Sequence, residues 1–155
     1  MDRDLEPALA FLRALWALDH ALGSTSKRMH GRMGITAQQR MVLRFIGKYP
    51  GLTGRELSEL LYVEKSTLSL ALKRLEEKGL VSRARDRKDS RKTLVVLTRR
   101  GKELDRPTVG TVEQAVTRAL AATNRRDLDT IRRFISLLVE MLGEEERNAR
   151  LRRSR

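Results

Sequence analysis

The residues best suited to chemistry in this chain are arginines and lysines, and the chemistry they offer is the binding of an anion. From Arg83 to Lys92 the run RARDRKDSRK sets six cations, Arg83, Arg85, Arg87, Lys88, Arg91 and Lys92, against two acids, Asp86 and Asp89. Cations at that density on a turn create a strong local positive potential. Arg87 and Arg91 are expected at the tip, where guanidinium groups can enter a narrow A·T-rich minor groove. Arg85 and Lys88 are expected at phosphates. Asp86 and Asp89 cannot bind a polyanion themselves and are expected to hold Arg91 and its neighbours in place through charge-assisted hydrogen bonds. A solvated turn is the alternative, so the elements around the run must decide.

Other chemistries find little material. His20 and His30 are the only histidines, there is no cysteine, and neither histidine joins a nucleophile or metal-ligand pattern. No catalytic residue, metal or cofactor is therefore expected. The net charge of +13 and pI near 11.1 point to a polyanionic partner, nucleic acid or an acidic membrane surface. That charge is concentrated in residues 62–104. The opening MDRDLEP is acidic, so no signal peptide is expected, and charges interrupt every apolar run before membrane-spanning length. A cytoplasmic protein without membrane association is the expectation. The length of 155 residues suits one domain, or one protomer whose terminal helices find their core in a partner.

Leu5, Leu9, Leu12, Leu15, Trp16 and Leu22 recur at helical spacing, which predicts a first amphipathic helix broken at Gly31 and Gly34. Thr36 opens TAQQ, a capping box closed by Gln39, and predicts a helix over 37–48 that buries Met41, Val42, Phe45 and Ile46. Thr53 opens TGRE, a second capping box closed by Glu56, before a short helix burying Leu57, Leu60 and Leu61. A turn at Tyr62, Val63 and Glu64 leads to a helix over 65–78 stopped by Gly79. Runs 81–85 and 93–97 read as strands joined by the charged loop. After Thr98 a helical stripe of Leu104, Val109, Val112, Val116 and Leu120 is interrupted or kinked near Pro107. Asn124 caps a last helix with Leu128, Ile131, Ile135, Leu138 and Leu142 on one seam. The basic LRRSR at the end is expected to fray.

The fold class is thus mainly α with a small β-hairpin wing: a winged helix-turn-helix over about 36–100, flanked by dimerisation helices over about 5–30 and 102–143, with a polar tail over 144–155. On the helix over 65–78, Leu68, Ala71, Leu72 and Leu75 form the core face. The opposite side presents Ser66, Ser69, Leu70, Lys73, Arg74 and Glu77, short hydroxyls towards base edges and the cations Lys73 and Arg74 towards phosphates, with Lys65 and Thr67 as further DNA-binding candidates. Thr36, Gln38, Thr53 and Arg55 sit at helix N-termini that offer free N–H groups to phosphates; simple capping is the alternative.

The segments VEKSTLSLALKRLEEKGLV and RDRKDSRKTLVVLTRRG resemble the MarR family of bacterial transcriptional regulators, with Asp89 and Arg91 matching the wing Asp-x-Arg. The resemblance runs from about Leu5 to Leu142. It implies a homodimer in which first and last helices interlock, two winged helices on duplex DNA bearing a pseudo-palindromic operator, and a repressor released by a small aromatic or phenolic effector. Where many members carry arginine on the recognition face, this chain has Leu70, which could contact a thymine methyl or simply be an exposed leucine. Leu5, Leu9, Leu12, Leu128, Ile131, Ile135, Leu138 and Leu142 are the dimerisation candidates, since pairing across a two-fold would hide their apolar area. Monomeric packing of those helices is the alternative. Trp16 and His20 are the effector candidates, His20 having a surface or interface role as its alternative. A winged helix used for RNA or protein contact remains the other function, although stacking aromatics are scarce.

Overall fold

The computed structural model describes the backbone of residues 5–153 and the side chains of residues 5–144. Its elements are α1 (Leu5–Met33), α2 (Ala37–Lys48), α3 (Gly54–Leu61), α4 (Lys65–Glu77), β1 (Val81–Arg85), β2 (Thr93–Leu97), α5 (Arg99–Leu104), α6 (Val112–Ala121) and α7 (Arg125–Arg153). They fall into two compact units, Met1–Gln114 and Ala115–Arg155.

The first unit holds one core. Leu43 and Ile46 of α2, Leu57 of α3, Leu68, Leu72 and Leu75 of α4, and Leu80, Val81 and Val95 around the hairpin are all buried together. β1 and β2 pair antiparallel from Val81 opposite Leu97 to Arg85 opposite Thr93. The Val95 N–H donates to Leu52 O at 2.9 Å, and Thr53 makes a further bridge to Leu94, so the start of α3 leans on the hairpin. Both predicted capping boxes are formed, by Thr36 with Gln39 and by Thr53 with Glu56. A third cap joins the hairpin to α5. Thr98 Oγ1 accepts from the Gly101 N–H at 3.1 Å and donates to Gly79 O at 2.7 Å, while the Thr98 N–H donates to Leu80 O at 3.1 Å. Gly101 is buried so tightly there that a Cβ would collide with Leu80 O.

A buried cation closes the unit. Arg40 on α2 has no solvent exposure. Its Nε donates to Glu113 Oε1, its Nη1 to Leu104 O at 2.7 Å and its Nη2 to Arg106 O at 2.8 Å. One turn on, Arg44 donates to both the backbone and the carboxylate of Asp105. Burial pushes the Asp105 carboxyl up, against the pull of Arg44 and Arg40. Gly47 lies close beside it, and a Cβ there would force the Asp105 carboxylate to move.

In the second unit Asn124 caps α7, its Oδ1 accepting from the Asp127 N–H at 2.9 Å. Ile131, Phe134, Ile135, Leu137, Val139, Met141 and Leu142 of α7 are exposed, with Ile135 at 52%.

Several expectations need correction. Gly31 does not break α1, which continues to Met33 and ends at Gly34 with φ 72°. Met41 and Leu60, expected to be buried, are exposed at 41% and 39%, because each lies at the edge of its apolar stripe. The stripe after Thr98 is two helices, with Pro107 in the gap and Val109 exposed in that gap rather than on a helix face. The LRRSR end continues α7 as far as Arg153, and its side chains, with residues 154 and 155, lie outside the described residues.

Two stability measurements test these joints. Gly101→Ala should lower the unfolding free energy by about 1–3 kcal/mol in urea titration through overpacking, whereas Gly23→Ala on the open side of α1 should raise it by about 0.5–1 kcal/mol. Equal effects would mean that the Thr98 joint is looser than its hydrogen-bond distances imply. Arg40→Met should cost about 2–4 kcal/mol by leaving the Leu104 and Arg106 carbonyls without their buried donor; a loss under about 0.5 kcal/mol, on the scale of a surface substitution, would remove the buried cation from the account.

Candidate nucleic-acid interface

Three parts of the first unit present cations and hydroxyls to solvent: α4, the hairpin loop, and the N-termini of α2 and α3. On α4, Leu68, Ala71, Leu72 and Leu75 are buried, which turns Lys65, Ser66, Thr67, Ser69, Leu70, Lys73 and Arg74 outward, all exposed. No side chain caps this helix: Glu64 occupies the N-cap position without a cap hydrogen bond, and Ser66 Oγ meets Glu64 Oε2 only at 3.5 Å. The turn before it is tightened by Tyr62, a non-glycine residue at φ 52° and 96% exposed. The sequence pattern does not single out Tyr62 as an interface side chain. Its left-handed conformation follows from closing α3, where the Tyr62 N–H donates to Glu59 O and the Val63 N–H to Ser58 O.

The hairpin loop is folded by its two acids. Asp86 Oδ1 accepts from the Lys88 N–H at 2.9 Å, and Asp89 Oδ1 accepts from the Arg91 N–H and from Arg91 Nε, each at 3.1 Å. Asp89 therefore braces a guanidinium as expected of it, but Asp86 holds backbone instead. The Lys92 N–H donates to Asp89 O and the Asp86 N–H to Lys92 O, which closes the loop. Arg91 remains 90% exposed at the side chain, so the brace orients it without hiding it. Arg87 and Lys88 are also exposed at the loop, and Arg85 at its base. Arg83 is drawn away: its Nε donates to Glu76 Oε1 at 2.8 Å and ties β1 to the last turns of α4.

At the helix N-termini, Thr36 and Thr53 spend their hydroxyls on capping, accepting from the Gln39 and Glu56 N–H groups at 3.2 Å. The Thr53 N–H and hydroxyl in turn hold the Glu56 carboxyl below its usual range. Arg55 is paired with Glu59 at 2.9 Å, which raises its pKa further. Gln38 is exposed and faces α4 across a cleft of about 310 Å³, lined by Ser26, Thr36, Gln38, Gln39, Thr67, Leu70, Ala71 and Arg74.

The remaining candidates are not part of this surface. Trp16, at 72% exposure, and His20 lie open on α1, and the clefts of about 390 and 420 Å³ in the same unit are lined by other side chains. Leu5, Leu9 and Leu12 are exposed on α1; Ile131, Ile135 and Leu142 are exposed on α7, with Leu128 and Leu138 half-buried there. No group of three or more metal-ligating side chains occurs among the described residues.

The MarR family model matches residues 33–92. The organic hydroperoxide resistance transcriptional regulator of Bacillus subtilis is 30% identical over 144 residues, covering 91% of this chain and 93% of that protein. The HTH-type transcriptional regulator TtmR of Methylorubrum extorquens is 35% identical over 102 residues, 66% of this chain, and the chain spans about half, 51%, of that relative's length. Among solved structures, the S. aureus MepR–DNA complex aligns with a TM-score of 0.68 at 19% identity, over 85% of this chain and 97% of that one. The transcriptional regulator SlyA aligns with a TM-score of 0.67 at 23% identity, over 87% and 95%. These two are likenesses of fold.

The geometry makes the loop's brace testable by titration. Hydrogen bonds from the Arg91 side chain and backbone hold the Asp89 carboxyl below the usual aspartate range. A depressed carboxyl contributes above its unfolded pKa and loses that contribution as pH falls through the folded one. Carbon-detected NMR should find Asp89 titrating low in the intact protein and moving up in Arg91→Ala. An Asp89 that titrates normally in both would mean the brace does not form in solution.

Proposed function

The chain belongs to the MarR family, and we propose that it is a sequence-specific duplex-DNA-binding transcriptional regulator, a cytoplasmic homodimeric repressor that releases its operator on binding a small aromatic or phenolic effector. The observation that carries the reading is the coincidence, on one winged helix, of an uncapped hydroxyl- and cation-faced α4 with an arginine loop braced by Asp89. α4 enters the major groove of one half-site, where Ser66, Thr67, Ser69 and Leu70 approach base edges, and Lys65, Lys73 and Arg74 approach phosphates. The loop follows the backbone with Arg85 and Lys88 and reaches the adjacent minor groove with Arg87 and Arg91. Thr36, Gln38, Thr53 and Arg55 add contacts at the helix N-termini, where the hydroxyls cap and the remaining backbone N–H groups face phosphate.

Dimerisation is proposed through the apolar faces of α1 and α7, with Leu5, Leu9, Leu12, Leu128, Ile131, Ile135, Leu138 and Leu142 as the seam. Two copies related by a two-fold match a pseudo-palindromic site. Trp16 and His20 are the side chains proposed to meet the effector. The chain is read as a binding protein with no catalytic step, and no helix among the described residues is long and apolar enough to cross a membrane.

Retardation of duplex DNA from the region upstream of the chain's own gene tests the reading. Binding should weaken steeply between 50 and 200 mM salt, by about 10³-fold or more if six or more phosphates are neutralised. Arg91→Ala should weaken it about tenfold, the scale of one lost groove contact, while sedimentation still reports a dimer. No retardation of any genomic duplex at moderate salt would overturn the proposal, and an unchanged Arg91→Ala isotherm would take the loop out of it.

A further inference from the structure

Leu70 is out of character with the surface that carries it. The other large apolar residues of α4, Leu68, Leu72 and Leu75, are at most 3% exposed, whereas Leu70 is 52% exposed. Its neighbours on that face are hydroxyls and cations. Thr67, Leu70 and Arg74 follow one another at three- and four-residue spacing, so they form one row along the helix. This row is one wall of the 310 Å³ cleft, and Thr36, Gln38 and Gln39 at the start of α2 form the other.

The polar atoms on the α2 side are largely occupied. Thr36 and Gln39 satisfy one another, and Ser26 Oγ accepts from the Ala37 N–H at 3.0 Å. The Arg74 guanidinium makes no hydrogen bond or ion pair among the described residues, so it is free to reach outward. Leu70 and Ala71 are the apolar side chains of the cleft. A single exposed leucine is ordinary on a solvated surface. One that becomes enclosed when its face meets DNA must find an apolar partner or leave a base edge stripped of water.

Among the four bases only thymine presents an apolar group, its C5 methyl, to the major groove. Opposite any other pyrimidine or purine edge, Leu70 would displace water from a donor or acceptor and return no hydrogen bond. We propose that Leu70 is the residue that selects a thymine in each operator half-site by packing against its C5 methyl; this rests on the chain being an operator-binding regulator. Thr67 and Arg74 lie in the same row, so they meet the neighbouring positions and fix the register in which that methyl is read.

The test uses the full chain and a bound duplex from its own upstream region, with deoxyuridine replacing each thymine in turn, which deletes one methyl and nothing else. One thymine per half-site should respond, its loss weakening wild-type binding about fourfold, the worth of one buried apolar carbon. Substitution in both half-sites together should multiply to about fifteenfold. Leu70→Ala should bind the parent duplex more weakly and be indifferent to the same methyl, and Leu70→Gln should behave alike if the alanine variant is poorly folded. A C·G pair at the responsive position should bind more weakly, and 5-methylcytosine there should recover part of the loss. The inference is overturned if no methyl deletion affects the wild-type protein, or if the responsive methyl matters equally to the Leu70 variants. Failure of the wild-type chain to bind the parent duplex would instead overturn the regulator reading, and the inference with it.

Discussion

A buried guanidinium on α2 sets the terms for the first unit. Arg40 carries a full charge with no access to water, a state tolerated when each of its three nitrogens finds a partner. Two of its partners are backbone carbonyls, of Leu104 and Arg106, and the third is Glu113, so the chain from the end of α5 to the start of α6 has to return to α2 at three points. Pro107 suits that return, because it ends helix and lets the carbonyl before it point elsewhere. Arg44 and Asp105 repeat the arrangement one turn along, and Gly47 leaves room for the carboxylate. With α2 pinned from behind, its N-terminus is fixed against α4 in front. Gln38 and Gln39, next to Arg40 in α2, line the cleft that holds Leu70.

Local patterns were enough for most of the first unit and silent about that constraint. The boundaries of α2 and α3 follow from Thr36 and Thr53, since a capping box is written in adjacent residues and needs no tertiary partner. The hairpin strands follow from β-branched runs on either side of a loop. Arg40 is different: nothing in AQQRMVLRF distinguishes a buried arginine from a surface one, because its partners lie more than sixty residues away. The continuation of α7 to Arg153 was illegible for a related reason, as charged residues without an apolar stripe can be helix or frayed end alike. Thr98 marks in the sequence only the point where helix resumes; its cap on Gly101 and its second bond, to Gly79 O, are matters of packing.

The exposed leucines of α1 and α7 are of another kind. Isolated apolar side chains need no explanation, but Leu5, Leu9, Leu12 and Trp16 on one helix, and Ile131, Ile135 and Leu142 on the other, recur at helical spacing. A continuous stripe in water incurs a hydration cost at every turn. That cost is what the proposed homodimer removes, and it explains why the terminal helices can be long while contributing little to the buried core of their own units.

Charge is distributed across the proposed interface by a similar economy. Arg83 is tied to Glu76 and Arg55 to Glu59, so part of the cationic surplus is neutralised within the protein. Asp89 also neutralises, and in a simple count of charge it subtracts from attraction to DNA. Its geometry argues for the opposite net effect on recognition. A free arginine at a loop tip loses about 2 kcal/mol of rotamer entropy when it is fixed in a groove. Asp89 restricts Arg91 beforehand through both its backbone and its Nε, yet leaves the side chain 90% exposed. The lost unit of charge is screened within about 10 Å at ordinary salt, whereas the restricted rotamer is retained at every salt concentration. In the proposed complex the brace would therefore shift the loop from attracting DNA in general towards fitting one groove geometry, and would leave discrimination among bases to the face of α4.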